Sequence, residues 1–244
     1  MLLKEFELKF ETVDEGGKTT AIIVAAGSSS RMQGTDKQLV ELLGCPVIIH
    51  SIKAFENCDF IDNIVIVTRQ DLQLKIQNLV TEYNIKKVTD IIVGGSNRAQ
   101  SVINGLAVAR DSEYVLIHDG ARPLITKEII NNTLSAAKMY GAAIPTVPVK
   151  DTLKIVDSSG RVQTTPERKT LMAVQTPQCF KTSVIADAIA TNTQNLNTIT
   201  DDSMFVENVG GTVYTVEGSY ENIKITTMED LNFAENILKN RGDV

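Results

Sequence analysis

The residues best suited to chemistry in this 244-residue sequence are cations set beside runs of small residues. The first group is A-A-G-S-S-S-R-M-Q-G-T-D-K-Q, residues 25–38, which follows the apolar run T-A-I-I-V-A directly. A small-residue loop after a strand lets backbone N–H groups come close to phosphate oxygens. Arg31 and Lys37 are tethered to that loop, an arrangement suited to a triphosphate whose negative charge grows as a phosphoryl bond breaks. A flexible Ser-rich turn with solvated charges would have the same composition. The loop is neither the P-loop pattern nor G-x-G-x-x-G, which weighs against ordinary ATPase and nicotinamide-dehydrogenase chemistry.

Three more stretches carry polar groups of the same kind. G-G-S-N-R-A-Q-S, residues 94–101, could aim Arg98 and Ser101 at a ligand, or it could be a turn with Ser96 or Asn97 as helix N-cap. H-D-G-A-R-P, residues 118–123, places Asp119 and Arg122 where a strand should end, a position fit for Mg²⁺ and phosphate. His118 reads as a hydrogen-bonded core histidine rather than a base. T-D-D-S, residues 200–203, has carboxylates and hydroxyls that could meet a ligand or merely cap a helix. Lys224 alternates with Ile223 and Ile225, so its side chain faces away from theirs and is either a solvated strand face or a site cation. Together Arg31, Lys37, Arg98, Asp119, Arg122 and Lys224 fall at or near strand ends on one expected rim. Such a rim fits a nucleotide and a phosphorylated second substrate.

The elements that must hold this rim alternate. Strands are expected at T-A-I-I-V-A, D-N-I-V-I-V-T, V-T-D-I-I-V and Y-V-L-I-H, with helices over 46–55, 72–83, 98–109 and 127–140, and another extended run at A-A-I-P-T-V-P-V. Ile- and Val-rich strands without polar alternation are buried on both faces, as in a parallel sheet covered by helices. The pattern is a doubly wound α/β fold, whose ligands bind beyond the carboxyl ends of the strands. The alternation breaks at 149–168, where V-K-D-T-L-K-I-V, D-S-S-G and R-V-Q-T-T read as an exposed β-hairpin arm. An exposed two-stranded arm is marginal alone and usually packs on something, often a second subunit. After it a strand at 171–175, a helix from Ser183, strands T-V-Y-T-V and N-I-K-I-T, and a helix from Met228 are expected. Residues 1–18 read as an extension ahead of the main domain at 19–244; Phe6, Leu8 and Phe10 alternate as in a strand, while Leu3, Phe6 and Phe10 also fit a helical face.

Composition bounds the rest. Hydrophobic residues at 43% and charged residues at 22% exclude disorder over most of the chain. A net charge of −6 argues against general nucleic-acid binding, though not against a local cationic pocket. The longest apolar stretch, residues 21–26, is far short of the ~20 needed to span a bilayer. The N-terminus lacks a secretory core, and Cys45, Cys58 and Cys179 are odd in number and scattered, so free thiols in the cytoplasm are expected.

The set A-A-G-x-x-x-R-M, K-Q, H-D-G-A-R-P, V-P-V-K-D-T, A-V-Q-T-P-Q and N-I-K-I-T resembles the 2-C-methyl-D-erythritol 4-phosphate cytidylyltransferase family, in the family's order from about Thr20 onward. The resemblance implies a Rossmann-like nucleotidyltransferase fold that transfers CMP from CTP to the sugar-alcohol phosphate in non-mevalonate isoprenoid biosynthesis and releases pyrophosphate. It also implies Mg²⁺ dependence and a homodimer with swapped hairpin arms. Carried over by residue, Arg31 and Lys37 match the cations that stabilise the pentacoordinate α-phosphate, while Arg168 and Lys224 match residues that position the attacking phosphate. Asp119, Arg122, Thr152, Thr176 and Thr200 match the rest of the sugar-phosphate pocket, with Asp119 also a candidate Mg²⁺ ligand. Ala25, Ala26, Gly27, Gly95, Ser96, Arg98 and Ser101 match the CTP cradle, with cytosine read near Gly95 and Ser96.

The D-ribitol-5-phosphate cytidylyltransferase family is similar in the motifs that handle CTP and phosphate. V-P-V-K-D-T, P-E-R-K-T and T-D-D-S resemble the methylerythritol branch more closely. A non-catalytic nucleotide-binding module on the same fold is the alternative of another class. Binding alone would not need Arg31, Lys37, Arg168 and Lys224 together.

Overall fold

The computed structural model describes residues 17–27 and 36–242. Residues 1–16, with the strand-or-helix alternative at Phe6, Leu8 and Phe10, lie outside the described residues, as does Arg31. The first part of the chain runs β1 (Thr19–Val24), β2 (Glu41–Leu42), β3 (Cys45–Pro46), α1 (Val47–Glu56), β4 (Asn63–Thr68), α2 (Gln73–Glu82), β5 (Val88–Val93) and α3 (Arg98–Val108). The alternation continues through β6 (Tyr114–Asp119), α4 (Lys127–Tyr140) and β7 (Ala142–Pro148). Past it come β8 (Ile155–Val156), β9 (Val162–Thr164), β10 (Met172–Val174), β11 (Gln178–Lys181), α5 (Thr182–Thr191), α6 (Ser203–Asn208), β12 (Tyr214–Glu217) and α7 (Met228–Arg241).

The main sheet has the order β10-β7-β11-β6-β1-β4-β5, with β12 on the free side of β7. β1 pairs parallel with both β4 and β6, and β10 and β11 are the antiparallel members. The sheet is mostly parallel, and its continuous apolar strands serve two cores at once. Ala21 and Ile23 of β1 join one cluster with Ile48, Ile52 and Phe55 of α1 and Ile130 and Leu134 of α4. Ile22 and Val24 join a second with Val102 of α3, Ile185 of α5 and Phe205 of α6. Successive side chains point to opposite faces, so a strand sandwiched between helices must be apolar at every position.

The fourth strand and the helix over 127–140 lie where the sequence places them. Four expectations need correcting. V-T-D-I-I-V is a strand but is not buried on both faces: β5 is the sheet edge, and Thr89, Asp90 and Val93 are exposed. N-I-K-I-T alternates as expected but is not a strand, because it joins no ladder: its one backbone–backbone bond to the H-D-G-A-R-P loop runs from Ile225 N–H to the Ala121 carbonyl, and side chains do the rest. β12 begins at Tyr214, two residues later than read from T-V-Y-T-V. β11 has no counterpart among the expected strands; its four residues insert antiparallel between β6 and β7.

The arm is a hairpin: β8 and β9 pair antiparallel around D-S-S-G. Asp157 Oδ1 accepts from the N–H groups of Ser159 and Arg161, both at 3.0 Å, and Gly160 takes the left-handed conformation (φ +85°) that closes the turn. Leu153, Ile155, Val156 and Val162 are 44–53% exposed along it.

Candidate active site

β1, β4 and β6 end side by side, with Val24 in register with both Val67 and Asp119. The crevice beyond these carboxyl ends is a cavity of about 340 Å³. Its wall includes Ala26 and Gly27 after β1, Lys37 and Gln38 past the small-residue loop, Gly95, Ser96, Arg98 and Ser101 at the start of α3, and Asp119 and Lys224. A Cβ on Gly94 would collide with Ala26 and Ser101, so glycine there lets the two loops meet beneath the pocket. Asn97 caps α3 by accepting from Gln100 N–H at 2.8 Å. Ser101, 2% exposed, accepts from Gly95 N–H at 3.0 Å and donates to the Asn97 carbonyl at 2.9 Å. The G-G-S-N-R-A-Q-S turn is therefore a helix cap and a pocket wall at once.

The centre of the site is a chain of alternating charge. Asp202, fully buried, receives both terminal nitrogens of Arg98 at 2.8 Å. Arg98 Nε reaches Asp119 Oδ1 at 3.3 Å. Asp119 Oδ2 lies 2.9 Å from Lys224 Nζ and 3.5 Å from Arg122 Nε. Burial alone would raise the Asp119 carboxyl; the guanidinium of Arg98, the Lys224 ammonium and the Arg122 guanidinium outweigh it and hold the group well below the usual carboxylate range. Burial raises the Asp202 carboxyl, against the pull of Arg98. A paired charge of this kind stays aimed, which is the requirement for cations that must meet a developing negative charge without reorganising.

Asp119 owes its position to His118 and Thr176. The Thr176 hydroxyl accepts from Asp119 N–H at 3.1 Å and lies 3.0 Å from His118 Nδ1, while His118 Nε2 is 3.1 Å from the Arg122 carbonyl. A carbonyl only accepts, so Nε2 carries the proton and Nδ1 accepts from Thr176. Burial pushes the His118 imidazole down to about 4, consistent with this neutral form. His118 is a core histidine, as its sequence context indicates.

Lys224 is brought in by its neighbours. Arg122 Nη1 donates to the Asn222 carbonyl at 2.7 Å and Asn222 Nδ2 to the Thr176 carbonyl at 3.0 Å, so N-I-K-I-T lies against the H-D-G-A-R-P loop. α7 closes this side with a Thr227–Asp230 capping box.

Of the residues singled out from the sequence, the structure gathers Ala26, Gly27, Lys37, Gly95, Ser96, Arg98, Ser101, Asp119 and Lys224 around one cavity. Ala25 lies buried under it, and Thr176 and Arg122 support Asp119 from behind. Thr200 is exposed two residues before Asp202, its hydroxyl on Met204 Sδ. Thr152 and Arg168 sit on the exposed arm and do not line the cavity; Arg168 donates to the Lys150 carbonyl at 3.0 Å. Sequence reasoning missed Asp202, Gln175 and Gln178. The two glutamines of Q-T-P-Q are staples: Gln175 donates to the Ser219 carbonyl at 2.7 Å, and Gln178 accepts from Ser203 N–H at 2.8 Å. A carboxylate beside a second carboxylate in T-D-D-S was the available signal for Asp202, but only the fold shows which of the two is buried.

The profile of the 2-C-methyl-D-erythritol 4-phosphate cytidylyltransferase family matches residues 19–240. The chain belongs to that family. A 2-C-methyl-D-erythritol 4-phosphate cytidylyltransferase of Alkaliphilus oremlandii is 47% identical over 229 residues, 93% of this chain and 97% of that protein. One from Clostridium novyi is 45% identical over 225 residues, 91% of this chain and 97% of that one. Among solved structures, 4-diphosphocytidyl-2C-methyl-D-erythritol synthase from Anaerococcus prevotii superposes with a TM-score of 0.79 at 32% identity, covering 91% of this chain and 96% of that one. The Thermus thermophilus cytidylyltransferase gives 0.72 at 26% identity, over 89% and 98%. Each covers nearly the whole partner, so the cytidylyltransferase family is matched along its length and not through a shared nucleotide-binding piece.

Proposed function

We infer that the protein transfers CMP from CTP to 2-C-methyl-D-erythritol 4-phosphate, releasing pyrophosphate, in isoprenoid-precursor biosynthesis. The observation that carries this reading is the family match over residues 19–240, with Lys37, Arg98 and Lys224 around one strand-end cavity. A phosphate oxygen of the acceptor forms a bond to the α-phosphorus of CTP, and the bond from that phosphorus to the bridging oxygen of pyrophosphate breaks. The attacking group is already an anion, so no general base is required. The barrier is that of bringing one anion onto another, and positioned cations lower it. In this reading Lys37 and Arg31 meet the charge on the α-phosphate, and Lys224, held by Asp119, orients the attacking phosphate.

The described residues do not fit a protein-built magnesium cage. They contain no cluster of three or more His, Cys, Asp or Glu side chains, and Asp119 is already ringed by three cations. Asp119 therefore suits the task of aiming cations better than that of metal ligand. Magnesium dependence, which the family resemblance implies, then rests on the phosphates of CTP, which bind the ion readily.

The proposed assembly is a homodimer through swapped arms. What supports it is the arm itself: Ile155, Val156 and Val162 are about half exposed, and Arg168 and Thr152 stand off the cavity of their own chain. Apolar side chains on a bare hairpin favour a partner surface. A cytoplasmic location is proposed on the three free cysteines and on the absence, among the described residues, of any helix long and apolar enough to cross a membrane.

The test is pyrophosphate release from CTP and Mg²⁺ with 2-C-methyl-D-erythritol 4-phosphate and D-ribitol 5-phosphate side by side. Strong preference for the first is expected. Preference for the second moves the protein to the activation of another polyol phosphate, and silence with both, despite CTP binding, leaves a nucleotide-binding module.

A further inference from the structure

Gln38 is the half of the K-Q pair that the reaction has not used. Its backbone is fixed from both sides: its N–H donates to Asp36 Oδ1 at 3.1 Å, and its carbonyl accepts from Ile48 N–H at 3.0 Å. The side chain forms part of the cavity wall and is only 2% exposed. Its Oε1 is buried without a hydrogen-bond partner. Of the buried side-chain oxygens and nitrogens in that condition among the described residues, it is the one that borders the cavity. The amide rests on Gly120, where a Cβ would stand 3.1 Å from Oε1, so the glycine leaves it room. An unpaired buried amide oxygen destabilises a fold, and an apolar side chain of similar shape would pack there without that cost.

We propose that the Gln38 amide is a substrate contact that reads a hydroxyl group, on the ribose of the nucleotide or on the polyol of the acceptor. The proposal deepens the cytidylyltransferase reading and rests on it. Phosphate oxygens only accept, so they leave Oε1 unsatisfied; Lys37, Arg98 and Lys224 are the groups that serve them. A base amino group only donates, so it meets Oε1 but not the amide nitrogen beside it. A hydroxyl does both, so it pairs with the amide whichever end faces it, and a half-turn about the terminal torsion is soft.

Gln38→Met keeps the length of the side chain and removes both polar atoms. The expected result is a Tm equal to or above that of the wild type, with kcat/KM lower by about tenfold, the scale of one net hydrogen bond. Two sets of substrates separate the sources: 2′-deoxy- and 3′-deoxy-CTP with the full acceptor, and CTP with acceptors lacking one hydroxyl. Where the missing hydroxyl is the one Gln38 reads, the wild type loses about tenfold and the variant loses nothing more. Equal losses in both proteins for every substrate overturn the proposal. So does a lowered Tm with unchanged kinetics, which assigns Gln38 to the fold. If Gln38→Met does not fold, Gln38→Leu takes the same tests, and failure of both to fold also overturns it. A wild type that releases no pyrophosphate refutes the cytidylyltransferase reading instead; calorimetric binding of CTP and its deoxy forms to the same pair then decides on Gln38, with no difference counting against it.

Discussion

The rim around Asp119 and the arm at 149–168 both carry charged residues that sequence reasoning assigned to the reaction, yet the fold treats them in opposite ways. Around Asp119 the charges are tied to one another: Asp202 to Arg98, Arg98 to Asp119, and Asp119 to Lys224 and Arg122. On the arm, Arg168 and Thr152 are exposed, and the apolar residues beside them face solvent. Partly buried charges gain from one another because the medium around them screens poorly, whereas exposed ones gain little. The rim is therefore organised by its own chain, whereas the arm's apolar side chains are left in solvent, as the proposed dimer requires.

That contrast can be broken most directly at Asp202. Asp202→Ala leaves the Arg98 guanidinium without its bidentate partner and should cost about 3–5 kcal/mol of folding stability in urea denaturation, the usual scale for breaking a buried pair. A loss below about 1 kcal/mol would mean that Asp119 and water suffice for Arg98, and the rim would not be organised as argued. Acid should act on the same region. His118 titrates near 4 in the folded chain against 6.5 unfolded, so between those values the unfolded chain binds more protons. Stability is complete above about pH 6.5 and should fall by up to ~3 kcal/mol as pH drops toward 4. A flat stability curve over that range would mean that His118 is not held neutral.

Turnover sharpens the comparison further. Lys37→Ala or Arg31→Ala should lower kcat about 100-fold or more with the fold intact, the scale for losing a preorganised charge donor. Near-normal turnover in either variant removes that residue from the reaction. The arm calls for a different experiment, because in the proposed dimer its residues act through assembly. Mixing inactive Arg168→Ala and Lys37→Ala subunits at equal ratio should restore about a quarter of the sites, all in heterodimers. No recovery after subunit exchange has been verified would show that Arg168 serves its own chain or none.

The sheet centre was plain in the sequence because its strands are apolar on both faces and its helices carry regular apolar stripes, as Ile48, Ile52 and Phe55 do in α1. The edges were less so. V-T-D-I-I-V looks like an inner strand, yet Thr89 and Asp90 face solvent, and their polarity was the clue. Q-C-F-K is too short for periodicity to register, and only its place between β6 and β7 makes it a strand. In the site, residue types and strand ends were enough to gather Lys37, Arg98, Asp119 and Lys224. Gln175, Gln178, Asn222 and Asp202 were not legible, because their work is to tie segments far apart in sequence, and local pattern carries no record of that.

The same ties give the site a timing. Arg98 and Asp202 are 104 residues apart and Arg122 and Asn222 are 100 apart, so the rim forms only after the last third of the chain has been made and has folded back. Chains emerge from synthesis N-terminus first. A nascent or truncated chain ending before Asp202 would hold Arg98 and Asp119 without Asp202 or Lys224, its centre of charge unbalanced and open to water. The charge chain is thus complete only in a polypeptide that reaches Lys224: one cut short of Asp202 lacks both the carboxylate that holds Arg98 and the ammonium beside Asp119.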